Sequence, residues 1–238
     1  MRPSSHFFLA ACGLSYLAYG QGNVPPPGSV TLSTASSPGL SRYISSGDVA
    51  SLLPDGQMIG AADICNDDDY SIAISQDNRQ LNWIFDTDNM MASLDPSTPR
   101  SSDSKKCIVQ ARLEVPAGYT FKVENCRFWG YCYLEPMVTG KISTSYGFQD
   151  RLDESTLSKS MYGPMAEDFS LNLFEDTPKW SPCAEPDQLT FFNVVLDIGL
   201  ISKDTTFQSR GLIQGGAIDT NFTQILALDW ETCQLPPQ

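Results

Sequence analysis

The stretch Cys107-Ile108-Val109-Gln110-Ala111-Arg112-Leu113-Glu114-Val115 decides the fold class. Cys107, Val109, Ala111, Leu113 and Val115 fall on one face, with Gln110, Arg112 and Glu114 on the other. That period of two is the pattern of a half-buried β-strand. Pro116-Ala117-Gly118 interrupts it, after which Tyr119, Phe121 and Val123 alternate with Thr120, Lys122 and Glu124. Two alternating runs joined by a short Pro/Gly turn predict a β-hairpin.

Similar runs cover Tyr70 to Ser75, Leu81 to Asp86, Phe128 to Leu134 and Val138 to Phe148. Others span Phe169 to Phe174, Leu189 to Ile201 and Thr223 to Trp230. No segment of helical length keeps an apolar stripe at i, i+3, i+4 and i+7. Many short strands separated by turn residues predict an all-β, antiparallel β-sandwich over residues 61–238, with an open barrel as runner-up. Residues 21–60 are rich in Pro, Gly and Ser, as in Pro25-Pro26-Pro27-Gly28 and Ser36-Ser37-Pro38-Gly39. Such a composition buries little apolar surface and predicts a flexible, disordered leader.

Residues 1–20 read as a secretory signal peptide: Arg2 is the basic start, Phe7 to Leu17 the short apolar core, and Ala18-Tyr19-Gly20 the small-residue cleavage motif. The expected localisation is therefore extracellular. Removal of that segment takes away His6, the single histidine of the 238 residues, together with Cys12. A mature chain without imidazole has no Ser-His-Asp triad, no Cys-His dyad and no histidine-ligated zinc. No catalytic motif is found, and no cofactor is expected. Downstream of residue 20, no apolar run reaches the roughly 18 residues of a membrane span. With 28 acidic against 15 basic residues, the net charge of -13 speaks against a nucleic-acid or anionic-membrane partner. Cys65, Cys107, Cys126, Cys132, Cys183 and Cys233 remain, an even set that reads as three disulfides of undetermined pairing.

Several elements resemble the secreted domain-of-unknown-function 4360 family of filamentous fungi. They are Cys65 with the strand around Ser71 to Ser75, Leu81 to Phe85, Cys107, Pro116-Ala117-Gly118-Tyr119, Gly130-Tyr131 and Leu134. The series continues through Tyr146, Phe148, Gly163-Pro164 and Trp180-Ser181-Pro182-Cys183 to Leu189. The resemblance covers about residues 60 to 200. It implies a secreted, disulfide-bonded, mainly β domain and carries no catalytic residues. Where the family usually has Gly-Cys-Pro, this chain has Ile64-Cys65-Asn66, and Cys126, Cys132 and Cys233 are additional to the common pattern.

Candidate sites follow from residue chemistry. Asp67-Asp68-Asp69, with Asp63 nearby, and Asp86-Thr87-Asp88-Asn89 offer hard oxygen ligands suited to calcium, but lack EF-hand spacing. Their composition equally suits solvated turns. Glu167, Asp168 and Glu175 are candidates for the paired carboxylates of a glycosidase. Trp83, Trp129, Trp180 and Trp230 are all expected first as side chains that fill the sandwich core or cover disulfides; of the four, Trp129 in Arg127-Phe128-Trp129-Gly130-Tyr131 is the better candidate for an exposed ligand-stacking role. Consecutive aromatics on a strand cannot all face inward, so Trp129 and Tyr131 are the candidate ligand contacts. Asn221-Phe222-Thr223 is the one glycosylation sequon. The reading these support is a secreted, non-catalytic protein binding a cell-wall glycan or a host or partner protein, compatible with an effector role. The alternatives are a carboxylate-dependent polysaccharide enzyme and a structural component of a wall or spore surface.

Overall fold

The computed structural model describes residues 23–34, 70–85, 90–149, 151, 155–215 and 222–235. Its strands are β1 (Thr31–Thr34), β2 (Tyr70–Ile74), β3 (Gln80–Phe85), β4 (Ala92–Leu94), β5 (Ser102–Glu114) and β6 (Tyr119–Leu134). They continue as β7 (Val138–Phe148), β8 (Ser155–Tyr162), β9 (Met165–Phe174), β10 (Thr190–Ser202), β11 (Gly211–Gln214) and β12 (Phe222–Thr232). One sheet has the order β1-β5-β10-β7-β8. The other runs β2-β3-β12-β6-β11-β4, with β9 also on β6. All pairings are antiparallel, and the sheets do not close into a barrel, so the sandwich reading holds.

The two sheets share one core in which aromatics interlock. Phe121 of β6 meets Phe148 of β7 and Phe192 of β10 edge-on, at centroid distances of 5.3 and 5.9 Å, and lies 4.9 Å from Trp230 of β12. Edge-to-face contacts of this kind add roughly 0.5–1.5 kcal/mol beyond area burial. Buried hydrogen bonds also cross between the sheets, from Gln224 Nε2 to Thr144 Oγ1 at 3.0 Å and from Tyr146 OH to Val123 O at 3.5 Å.

The predicted hairpin is corrected by the sheet order. β5 pairs with β1 and β10, whereas β6 pairs with β12, β11 and β9. Residues 116–118 therefore carry the chain across the sandwich from one sheet to the other. Gly118 sits at a φ of 81° that favours glycine, donates its N–H to Ala184 O (2.9 Å) and accepts from Cys233 N–H (2.8 Å). The runs at 119–124 and 128–134, separate by pattern, form the single strand β6. Opposite Ala227 and Leu228, its partners step from Asn125 to Val123, leaving Glu124 as the extra residue of a β-bulge. Before the bulge Phe121 and Val123 face the core; after it Cys126, Phe128, Cys132 and Leu134 do.

Part of the expected flexible leader, residues 23–34, is built into the domain. β1 pairs with β5 from Thr31↔Glu114 to Thr34↔Ala111, and Val30 is buried. Composition hid this because the anchoring comes from elsewhere. Asn78, in the β2–β3 turn at a φ of 61°, donates Nδ2 to Pro26 O (2.8 Å) and Pro25 O (3.3 Å). Its own carbonyl accepts from Trp230 Nε1 at 2.7 Å. Prolines lack an N–H but keep their carbonyls, so a buried amide donor can hold such a segment in place.

Two stability predictions follow. Asn78→Ala should destabilise by about 2 kcal/mol, combining lost buried hydrogen bonds with left-handed backbone strain. Asn78→Gly relieves the strain and should cost about 1 kcal/mol less, as read by urea denaturation. Gly118→Ala, where an added Cβ meets only Cys233 O at 3.6 Å, should cost about 1–2 kcal/mol from conformation alone, checked the same way.

Candidate functional site

β6 is held on both sides, by β12 and then β11 along one edge and by β9 along the other. After the bulge, alternation sends Arg127, Trp129, Tyr131 and Tyr133 to the face away from the core. Successive members are about 7 Å apart, so the strip is roughly 20 Å long. Trp129 stands between Thr223 and Ser170, and Tyr131 between Gln214 and Asp168. Arg127 has Ile225 and Asn172 beside it. The three aromatic residues are half-buried by these neighbours. Tyr133 OH donates to Glu135 Oε1 at 3.0 Å, and Glu135 Oε2 accepts from Arg210 N–H at 2.8 Å. The result is a row of aromatic side chains on a paired strand, with Thr223 and Ser170 beside Trp129, Gln214 and Asp168 beside Tyr131, and Leu212 and Ala166 beside Tyr133. Such a surface can stack against the C–H faces of a ligand ring while hydroxyl and amide groups take up its polar edges.

Trp129 and Tyr131 were legible in the sequence as a pair; Tyr133 and Arg127 were missed as members of the strip. The signal was present as period two from residue 127 onward, but the register of the bulge is needed to place all four on one face. The other tryptophans lie elsewhere. Trp83 and Trp230 are buried in the core, and Trp180 is half-buried with Lys122 Nζ 4.5 Å above its ring.

The three carboxylates do not converge. Glu167 and Asp168 are consecutive on β9 and point to opposite faces of the sheet. Glu175, just beyond β9, lies about 24 Å along the chain from Asp168, well outside the roughly 5–9.5 Å of glycosidase pairs. It accepts instead from Tyr146 OH, whose acidity is pushed well below that of an ordinary phenol by burial and then by this carboxylate. Asp67, Asp68, Asp69, Asp63 and Asp86–Asn89 lie outside the described residues, as do Cys65 and Asn221. Among the described residues, no group of three or more His, Cys, Asp or Glu is arranged to hold a metal ion.

The cysteine reading needs correction. Cys183 is bonded to Cys233, with a sequence separation of 50, and Cys107 is bridged to a cysteine outside the described residues. Cys126 and Cys132 are free and buried. They stand six residues apart on one strand, about 20 Å, whereas a disulfide needs Cα atoms within roughly 7 Å. Burial raises both thiol pKa values, that of Cys132 to about 11 with a further contribution from Glu167. The even count misled because two of the six serve as small apolar core residues.

Residues 60–233 match the family described as a domain of unknown function, DUF4360. Over 171 residues the chain is 28% identical to an uncharacterized secreted protein of Arthroderma benhamiae, covering 71% of this chain and 67% of that protein. The chain belongs to the DUF4360 family.

Two measurements test the cysteine assignment. Without reductant, a thiol reagent should leave Cys126 and Cys132 unmodified in the native protein and label both after unfolding in denaturant, read by peptide mass spectrometry. Cys183→Ser with Cys233→Ser should lower stability by about 4 kcal/mol, the loop-closure value for this separation, read by denaturant unfolding.

Proposed function

We propose that this DUF4360 protein is a secreted, non-catalytic protein that binds a neutral cell-wall glycan along the Arg127–Tyr133 strip. The observation that carries the reading is the row Trp129, Tyr131 and Tyr133 on the outer face of a central strand. Aromatic side chains in that position contribute nothing to the core, yet Trp129 and its neighbours give a rigid apolar track. The flanking Ser170, Asn172, Thr223 and Gln214 supply uncharged hydrogen-bonding groups and Asp168 a carboxylate acceptor, which together suit hydroxyl-rich ligands. The net charge of -13 disfavours polyanionic glycans. Secretion is supported by the name of the Arthroderma benhamiae relative and by the signal-peptide pattern of residues 1–20. Glycosylation at Asn221 belongs to the same reading.

The test is retention of purified protein on insoluble chitin, β-glucan, cellulose and xylan, with released sugar assayed in the same supernatants. Retention without sugar release is expected on at least one of them. Trp129→Ala should weaken that retention at least tenfold, about 1.4 kcal/mol, with circular dichroism unchanged. Tyr131→Ala should weaken it less. Sugar release would overturn the non-catalytic reading, and absence of retention on all four would overturn the glycan.

A further inference from the structure

The outer face of the larger sheet continues past the Arg127–Tyr133 strip. On β9, Ser170, Asn172 and Phe174 alternate outward beside Trp129, Arg127 and Asn125 in register. Phe174, the last of them, is 63% exposed. It lies four residues beyond Ser170, which sets it about 13 Å past the Trp129 row. The same count sets it about 20 Å past Tyr131 and about 27 Å past Tyr133.

Phe174 does not belong to a contiguous apolar patch. Its outward neighbours are Asn172 on its own strand and Asn125 across the ladder. A lipid surface or an apolar protein groove is matched by such a patch. A chain of sugar rings is matched differently, by aromatic faces set apart for its C–H surfaces with donors and acceptors between them for its hydroxyls. That is the order met on this face. Tyr133, Tyr131 and Trp129 come first, then the polar row of Arg127 and Asn172, then Phe174. Arg127 is exposed and its guanidinium carries five N–H donors, while Asn172 offers an amide.

The face also distinguishes two directions for a ligand. Across the strands, the row through Trp129 leads over Thr223 to Ile84. Ile84 is 40% exposed, but its aliphatic side chain has no π-face to meet polarised C–H groups. Along the strands, aromatic contacts recur on both sides of the Arg127 row. The track ends at Phe174. Beyond it, one face of the Trp180 ring is taken by Lys122 Nζ at 4.5 Å, and that ammonium is paired with Asp229 Oδ2 at 3.2 Å.

We propose that Phe174 is the distal contact of the same glycan, which lies along β6 and β9 as one extended stretch, so that the site selects long polysaccharide chains over short oligosaccharides. This rests on the glycan reading of the strip and adds to it the direction and the length of the ligand. A disaccharide is too short to touch Trp129 and Phe174 together; a hexasaccharide is long enough.

The test uses the full protein and whichever of chitin, β-glucan, cellulose and xylan retains it, with the disaccharide and hexasaccharide of that polymer titrated in solution. Wild type should bind the hexasaccharide roughly tenfold more tightly than the disaccharide. Phe174→Ala should lower hexasaccharide affinity roughly fivefold and leave disaccharide affinity unchanged. Phe174→Tyr should keep hexasaccharide binding, whereas Phe174→Leu, which retains apolar area without the ring, should lose it as the alanine variant does. Ile84→Ser should have no effect. Both side chains are exposed, so circular dichroism should be unchanged in every variant. Hexasaccharide affinity untouched by Phe174→Ala but weakened by Trp129→Ala would overturn the extension and leave the strip standing. A loss on Ile84→Ser as large as that on Phe174→Ala would overturn the direction. Absence of binding to every glycan would overturn both readings together.

Discussion

The crossing at residues 116–118 is the constraint on which the rest of the architecture depends. It places β5 and β6, neighbours in sequence, in opposite sheets, so that their apolar faces look at one another across the core. Gly118 holds the corner through hydrogen bonds to Ala184 and Cys233, and the Cys183–Cys233 bridge joins the same two segments. Thr120 and Phe121, just past the corner, are tied to Ser181 by further buried hydrogen bonds. A disulfide whose segments also share backbone hydrogen bonds fixes the entry to β6 from both sides. Phe121 is thereby set against Phe148 and Phe192.

The bulge at Glu124 is the second device. A strand as long as β6 spans a sheet that twists, and an extra residue lets its apolar alternation change phase without exposing either half. The same change of phase turns Trp129, Tyr131 and Tyr133 outward. The edges near this face are guarded. Glu167 on β9 and Lys159 on β8 fall in the inward phase of their strands yet remain exposed. Charges of this kind discourage pairing with another chain's strand. The molecule thus leaves the middle of a sheet available for contact while making its outer strands poor templates for aggregation.

Legibility tracked the strength of local pattern. β3, β5, β7, β10 and β12 were readable because alternating apolar residues persist through most of each strand. β8, with the sequence STLSKSMY, is an edge strand whose polar outer residues and inward lysine blur the alternation. β4 and β11 are too short to establish any period. β1 lies in a Pro/Gly/Ser-rich region and is held by Asn78 and β5, partners distant in sequence. Of the candidate binding strip, Trp129 and Tyr131 could be read from aromatic crowding, but Arg127 and Tyr133 needed the register.

The sequence by itself determined that this is an all-β protein and that the aromatic run at residues 127–131 must turn some of its members outward. Those properties follow from period two and residue volume, which act over a few neighbouring residues. Only the tertiary structure decided that the Pro116–Gly118 turn is a crossing, that Cys126 and Cys132 are core thiols, and that residues 23–34 join the domain. It alone placed Phe174 of β9 beyond the aromatic strip on the same face. A hairpin and a crossing use the same turn chemistry, and a buried cysteine has the same symbol as a bridged one. The difference lies in which distant segment arrives opposite, and that is settled by long-range pairing and packing.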